Sequence, residues 1–298
     1  IKANASKHKA MSYERMKKRE VELAAEVDRW LKAAEAADAE EDKLYGSRRG
    51  DEMPDWVADK QKRLAKIRAA KAELEAEAKA AAAEEMRRRA AAEERRIAEG
   101  RKKNGKTPAP PKQEPDGKAQ RNFTDPESRI LKTKDGYIQG YNAQAAVDAE
   151  AQIIVAHGLT PSMSDQDQFV PLLDTTEDNL DRKPREASAD AGYCSEANLA
   201  ALAARDIRGY IATGRAKHPS DVKRKITGPL TKAMRDKLKR AGWRSRYRLR
   251  KQVVEPVFGQ IKQARGFRQF LLRGIEKVTA EWALICTAHN LTKLATAV

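Results

Sequence analysis

From residue 11 to residue 99 the apolar side chains recur at steps of three, four and seven: Leu23, Val27, Trp30, Ala34, Ala37 and Leu44, then Val57, Leu64, Ile67, Leu74, Ala78 and Ala81. Only a helix turns that spacing into one continuous stripe, because about 3.6 residues per turn brings such positions onto one face. Between the two runs lies Gly46-Ser47-Arg48-Arg49-Gly50-Asp51-Glu52-Met53-Pro54, a breaker cluster able to reverse the chain. The expectation is an antiparallel helical hairpin over residues 11–99. Trp30 and Trp56 are read as core anchors rather than platforms for bases, since Trp30 falls on the stripe. An alanine-rich stripe buries little area, so the hairpin is expected to lean on a partner or fray beyond Ala80.

Residues 100–122 carry Pro108, Pro110, Pro111 and Pro115 without any period and read as a linker. The texture then changes. Tyr137 to Val147 and Ile153 to Leu159 read as two strands around the turn Asp148-Ala149-Glu150-Ala151, and Asp165 is placed to cap a helix carrying Phe169, Leu172 and Leu173. A short buried strand runs from Ala187 into Asp190, followed by a helix over 196–205 and a strand over 209–212. Charged helices are expected over 229–240 and 246–265, then an apolar one over 275–296 with Val278, Trp282, Ile285, His289 and Leu291 inward. Strands alternating with helices imply an α/β fold, a mixed sheet with flanking helices.

The net charge of +16 is not spread evenly. From Arg182 to Arg273 there are 24 Lys and Arg against 7 Asp and Glu; the rest of the chain has 36 against 37. Cations concentrated in this way displace counterions from a phosphate backbone, so the window points to a nucleic-acid partner. The two cysteines, Cys194 and Cys286, have no spacing suited to zinc or to a disulfide framework. No apolar run reaches the length of a membrane span, and a cytoplasmic, nucleoid-associated protein is expected.

Two acids stand out. Asp190 ends a strand beside small residues in Ala187-Ser188-Ala189-Asp190-Ala191-Gly192-Tyr193, where another molecule can approach the backbone. Taken alone, an Asp before Ala-Gly is more often a turn residue than a ligand. Glu255 lies in Tyr247-Arg248-Leu249-Arg250-Lys251-Gln252-Val253-Val254-Glu255-Pro256, where Arg248, Lys251 and Lys262 share its helical face. The proline that follows should kink the helix or begin it.

The run Val253-Val254-Glu255-Pro256-Val257-Phe258-Gly259-Gln260-Ile261-Lys262 with Gly266-Phe267, the segment Ser188 to Tyr193, Thr124-Asp125-Pro126-Glu127-Ser128-Arg129 and Gln139-Gly140-Tyr141-Asn142-Ala143-Gln144 together resemble DDE transposases of bacterial insertion sequences. The group most alike is the one called insertion sequence eleven-eighty-two. The resemblance covers residues 1–10 and about 120–298. It implies an RNase H-like core over 123–298, interrupted by the hairpin of 11–99, with residues 1–10 following the first catalytic strand. It also implies three acids holding two Mg2+ or Mn2+ ions, DNA ends and target DNA as substrates, and a homo-oligomeric active assembly. Two such ions activate an attacking oxygen and stabilise a leaving one in an in-line displacement.

Asp190 matches the second acid and Glu255 the third, each a catalytic metal ligand by resemblance. Tyr247, Arg250, Glu255 and Lys262 match the family's Tyr, Arg, Glu, Lys signature, with Arg248 and Lys251 beside them as further DNA contacts. Arg250 precedes Glu255 by five residues rather than the usual four, which leaves Lys251 on the Glu255 face. The first acid of the family lies in an Asp-Gly-Thr-Lys segment running into a stretch resembling Ile1-Lys2-Ala3-Asn4-Ala5, so it is expected upstream of Ile1. Asp148 and Asp165 are better explained as a turn residue and a helix cap. On this reading the chain is an N-terminally truncated, inactive piece of a DNA-cleaving enzyme; the alternative is a non-catalytic DNA-binding or oligomerisation remnant.

Overall fold

The structure, a computed structural model, describes residues 1–45, 55–100, 105, 108–133, 136–214, 228–241 and 246–296. The breaker cluster at 46–54 lies outside the described residues, as does the side chain of Trp56. The chain divides into two compact units, one formed by residues 6–126 and the other by 1–5 with 127–298.

In the unit of residues 6–126, β1 (Ala10–Ser12) leads into α1 (Tyr13–Tyr45), and α2 (Asp55–Ala98) packs against it. The helices run antiparallel, because partners on α2 advance as those on α1 recede: Lys60 meets Glu26 at 2.6 Å, Lys71 meets Glu20 at 2.6 Å, and the Tyr13 hydroxyl donates to Glu75 at 2.7 Å. Leu23, Val27, Val57, Leu64, Ile67 and Leu74 are buried as their spacing requires, together with Met16. Trp30 is only half-buried, Ala81 is exposed where Ala82 is buried instead, and the side chains of Ala34, Ala37 and Leu44 lie outside the described residues.

Two expectations change in this unit. Helix α2 does not fray beyond Ala80 but continues to Ala98. Its distal turns carry ion pairs three or four residues apart, Arg89 to Glu85 at 2.8 Å and Arg96 to Glu93 at 2.7 Å, which support an exposed helix. The stretch read as a linker is also partly structured. Gln120–Asn122 forms β2, antiparallel to β1, and buried Arg121 reaches Glu73 and Glu77 on α2, each at 3.0 Å.

In the unit of 1–5 and 127–298, β3 (Arg129–Thr133) pairs antiparallel with β4 (Gly136–Gly140), and β5 (Asn142–Val147) with β6 (Ile154–Thr160). The single strand expected over 137–147 is thus two. The chain changes partner at Tyr141, whose ring is fully buried and whose N–H donates to Ile1 O. Ile1 to Ala3 runs extended between two segments: Ala3 N–H donates to Gln139 O at 2.9 Å, and Phe270 N–H donates to Lys2 O at 2.9 Å. A Cβ at Gly140 would stand 2.5 Å from Ile1 O, so only glycine admits this approach. The Asp148 carboxylate accepts from Glu150 and Ala151 N–H, the turn role expected of it.

Beyond β6, α3 (Phe169–Leu180) packs on that strand, and β7 (Glu186–Ala189), α4 (Glu196–Ala204) and β8 (Arg208–Ile211) form a parallel strand–helix–strand unit. The fold is mixed α/β, but the single mixed sheet expected from the sequence is not formed: among the described residues the strands pair in four separate two-stranded sheets. The Glu196 carboxylate accepts from Leu230 and Thr231 N–H, and so caps α5 (Pro229–Ala241). Helices α6 (Arg250–Gly259) and α7 (Ile275–Ala295) close the core around Tyr141, Val257, Ile261, Phe270, Val278 and Trp282. Ile285 and His289 are inward as expected, but Leu291 is 61% exposed.

Trp282 is the largest of these side chains, stacked on Phe258 with centroids 6.0 Å apart and donating from Nε1 to Gln144 O at 3.1 Å. Trp282→Ala should lower the unfolding free energy by about 3–5 kcal/mol in urea titration, the range for emptying a large aromatic site. In the other unit, Lys71 and then Arg68 hold the Glu20 carboxyl below its ordinary value of 4.5. A carboxylate lowered in the folded state contributes stability that is lost as pH falls through its folded pKa. Glu20→Gln should therefore reduce the thermal midpoint at pH 7, with the gap to the wild type closing steadily below pH 4.5.

Candidate active site

Strand β7 ends at buried Ala189, and Asp190 leaves the sheet in extended geometry (φ −79°, ψ −177°). Its Oδ1 accepts from Gly192 N–H at 2.9 Å, which closes the 3-10 turn Ala191–Tyr193. The carboxylate is half-exposed. The turn is held from behind by Asn198, whose Nδ2 donates to Tyr193 O and Gln166 O at 2.8 Å each, while Ser195 caps α4 by accepting from Asn198 N–H. The loop is therefore anchored on both sides by a helix start.

Glu255 is exposed on α6, between exposed Lys251 and half-buried Pro256. Neither a break nor a helix start occurs at the proline, which sits inside α6. A proline lacks the N–H that would bond to the carbonyl four residues earlier, here that of Gln252. Gln152 Nε2 donates to that carbonyl at 2.8 Å and satisfies it from outside the helix. The helix then widens into a π-turn at Gln260–Ala264, a local irregularity that often accompanies functional sites. Lys262 stands on this turn, half-buried, with its ammonium 5.3 Å from the centre of the Phe258 ring. Burial pushes its pKa down.

Ahead of α6 the 3-10 turn Arg246–Leu249 carries half-buried Tyr247 and exposed Arg248, and it lies against β7 and β8. Helix α6 packs on β5. The element that leads into the Glu255 helix thus adjoins the strand that ends in Asp190. The side chain of Arg250 lies outside the described residues. Among the described residues no three His, Cys, Asp or Glu side chains are grouped to hold a metal ion.

Asp165 departs from expectation. It stands at the start of a 3-10 turn, Gln166–Gln168, yet its side chain makes no capping bond. Its Oδ1 instead accepts from Asn142 Nδ2 at 2.6 Å and Gln144 Nε2 at 2.9 Å, both on β5. Its Oδ2 faces the Asp190 turn: a Cβ at Gly192 would lie 2.6 Å from Asp165 Oδ2 and 3.0 Å from Asp190 Oδ1. Burial, and then the charges of Asp165 and Asp190, push the Tyr193 phenol well up. The signal available in the sequence was the pair Asn142 and Gln144, two amides on one strand face where apolar residues would serve a plain core.

The model of the family described as transposase DDE domain matches residues 116–291, more than half of the chain. The chain belongs to that family. No curated protein and no solved structure matches it. Membership in the transposase DDE family carries transposition-related cleavage and transfer of DNA strands, a DNA substrate, and the divalent-metal chemistry general to such enzymes. Among the described residues no helix is long and apolar enough to cross a membrane.

Gly192→Ala should disturb this turn, because an added methyl meets two carboxylates at once. A stability loss of about 1–3 kcal/mol, the usual cost of overpacking, is expected in urea titration. An unchanged midpoint would mean that the two carboxylates separate freely.

Proposed function

We propose that the chain carries two acids of a transposase centre, Asp190 and Glu255, which cut and join DNA at insertion-sequence ends when their set is complete. The observation that carries this reading is the adjacency of β7, ending in Asp190, to the turn that leads into the Glu255 helix. Carboxylate oxygens are the hard donors that Mg2+ and Mn2+ prefer. Two acids do not make a two-metal site, and among the described residues no group of three potential ligands is assembled. The donors present therefore fit a part of the metal centre, and no step of the reaction is derived through it.

Tyr247, Arg248, Arg250, Lys251 and Lys262 serve as contacts to the DNA backbone on this reading. The support is the charge excess between Arg182 and Arg273, which surrounds both acids. The core of 123–298 is RNase H-like, and the helices of 11–99 are an insertion that serves assembly rather than chemistry, since their stripe is apolar and their acids pair with cations. By the resemblance the family's first acid lies in an Asp-Gly-Thr-Lys segment, and no such run occurs in residues 1–298.

The test compares the protein carrying that segment with its Asp190→Asn and Glu255→Gln variants on DNA carrying the element's ends. Mg2+-dependent cleavage is expected for the wild type. Each substitution should lower it by roughly three orders of magnitude, as when one member of a catalytic unit is removed. Cleavage that resists both substitutions would remove Asp190 and Glu255 from the active site. Neutralising Arg246, Arg248 and Arg250 together should weaken DNA binding and flatten its logarithmic salt dependence by about 2–3 units, near one for each phosphate that is no longer neutralised.

A further inference from the structure

We propose that Asp165 and Gln144 are positioning residues for the Asp190 carboxylate, fixing its turn against β5 through the Tyr193 hydroxyl. The proposal rests on the reading of Asp190 as an active-site acid. Gln144 is 3% exposed, and both ends of its amide are used. Nε2 donates to Asp165 Oδ1 at 2.9 Å, and Oε1 accepts from the Tyr193 hydroxyl. Only one orientation of the amide satisfies both neighbours, since a carboxylate can only accept and the phenol must donate. Asn142 Nδ2 adds a second donor to the same Asp165 oxygen. With Oδ1 held in this way, Oδ2 lies on the Gly192 side, 2.6 Å from where a Cβ there would stand, and Asp190 Oδ1 lies 3.0 Å from the same point.

The two turns are also stitched to each other. Asn198 bonds to Gln166 O and Tyr193 O, and Gln166 Nε2 donates to Cys194 O at 3.2 Å. Trp282, in the main core, holds the Gln144 backbone carbonyl. A continuous path thus runs from the core through Gln144 to the residue pair that flanks Gly192. Each carboxylate holds its turn through Oδ1, yet two like charges facing one glycine repel, a cost that neutral amides in the same places would avoid. The arrangement is accounted for where negative charge is needed beside Asp190, as it is next to a divalent cation.

Hydrogen exchange at the amides of Gly192, Tyr193 and Cys194, all bonded within the turn, reads the positioning directly in the metal-free full chain. Asp165→Ala and Gln144→Ala should speed exchange there about tenfold, the scale of one or two lost hydrogen bonds, while protection in α7 stays unchanged. Asp165→Asn keeps the Oδ1 acceptor and should stay within about twofold of the wild type. Tyr193→Phe removes a single hydroxyl and serves where Gln144→Ala does not fold; it too should loosen the turn. Wild-type exchange in both Asp165→Ala and Tyr193→Phe overturns the proposal, and so does Asp165→Asn exchanging as fast as Asp165→Ala. Mn2+ binding followed by electron paramagnetic resonance tests the underlying reading separately. Asp165→Ala should weaken it about tenfold, as loss of a supporting carboxylate does. Mn2+ binding that is indifferent to Asp190→Asn would remove the metal role from Asp190 and leave the positioning to the exchange data.

Discussion

Trp282 reaches out of the apolar core to donate a hydrogen bond to the Gln144 carbonyl, and much of the larger unit is arranged around that contact. The indole is fully buried, so its N–H needs an acceptor, and β5 offers one at the strand position whose side chain faces the Asp190 turn. One residue therefore joins two environments. Its backbone is fixed by the hydrophobic packing of α7, and its side-chain amide is spent on Asp165 and Tyr193. Rigid packing on one side of a strand sets the geometry of a polar site on the other, which is how a small core gives precision to groups that must meet a ligand.

The Glu255 helix is built by a comparable exchange. Pro256 costs α6 one internal hydrogen bond, and the loss is offset by Gln152, a residue with φ of 58° in the β5–β6 turn. The same residue takes His289 and Lys293 of α7, through its carbonyl and its side chain. An irregular helix thus stays tied to the sheet whose β5 strand supports the Asp190 turn. Asp190 stands just beyond a strand end and Glu255 beside a proline inside α6, and the backbone group left over at each place is satisfied by a named partner.

The unit of residues 6–126 is stabilised differently. Its apolar stripe is narrow, and the helices are flanked by ion pairs such as Lys60 with Glu26 and Lys71 with Glu20. Partly exposed pairs of this kind contribute at most about 1 kcal/mol each. The burial of Leu23, Ile67, Leu74 and Met16 carries the association, and the charges fix its direction and register.

Helix positions followed from the sequence wherever apolar spacing was long and periodic, because the period of a helix is a local property: Leu23, Val27, Leu64, Ile67 and Leu74 of the hairpin and the inward residues Val278, Trp282 and Ile285 are of this kind. The family motifs around Asp190 and Glu255 were equally legible, since they are runs of adjacent residues. The side-chain partners of Asp165 were not. An aspartate before a helix reads as a cap from local chemistry, and only the pairing of β5 with β6 brings Asn142 and Gln144 close enough to claim its carboxylate instead. Tyr141 as a break between two strands is likewise a tertiary fact, since it depends on Ile1 to Ala3 lying alongside, 140 residues away in sequence at the Ile1–Tyr141 contact. Periodicity and motifs are written in neighbouring residues, whereas the direction of a polar side chain is decided by whichever distant partner can satisfy it.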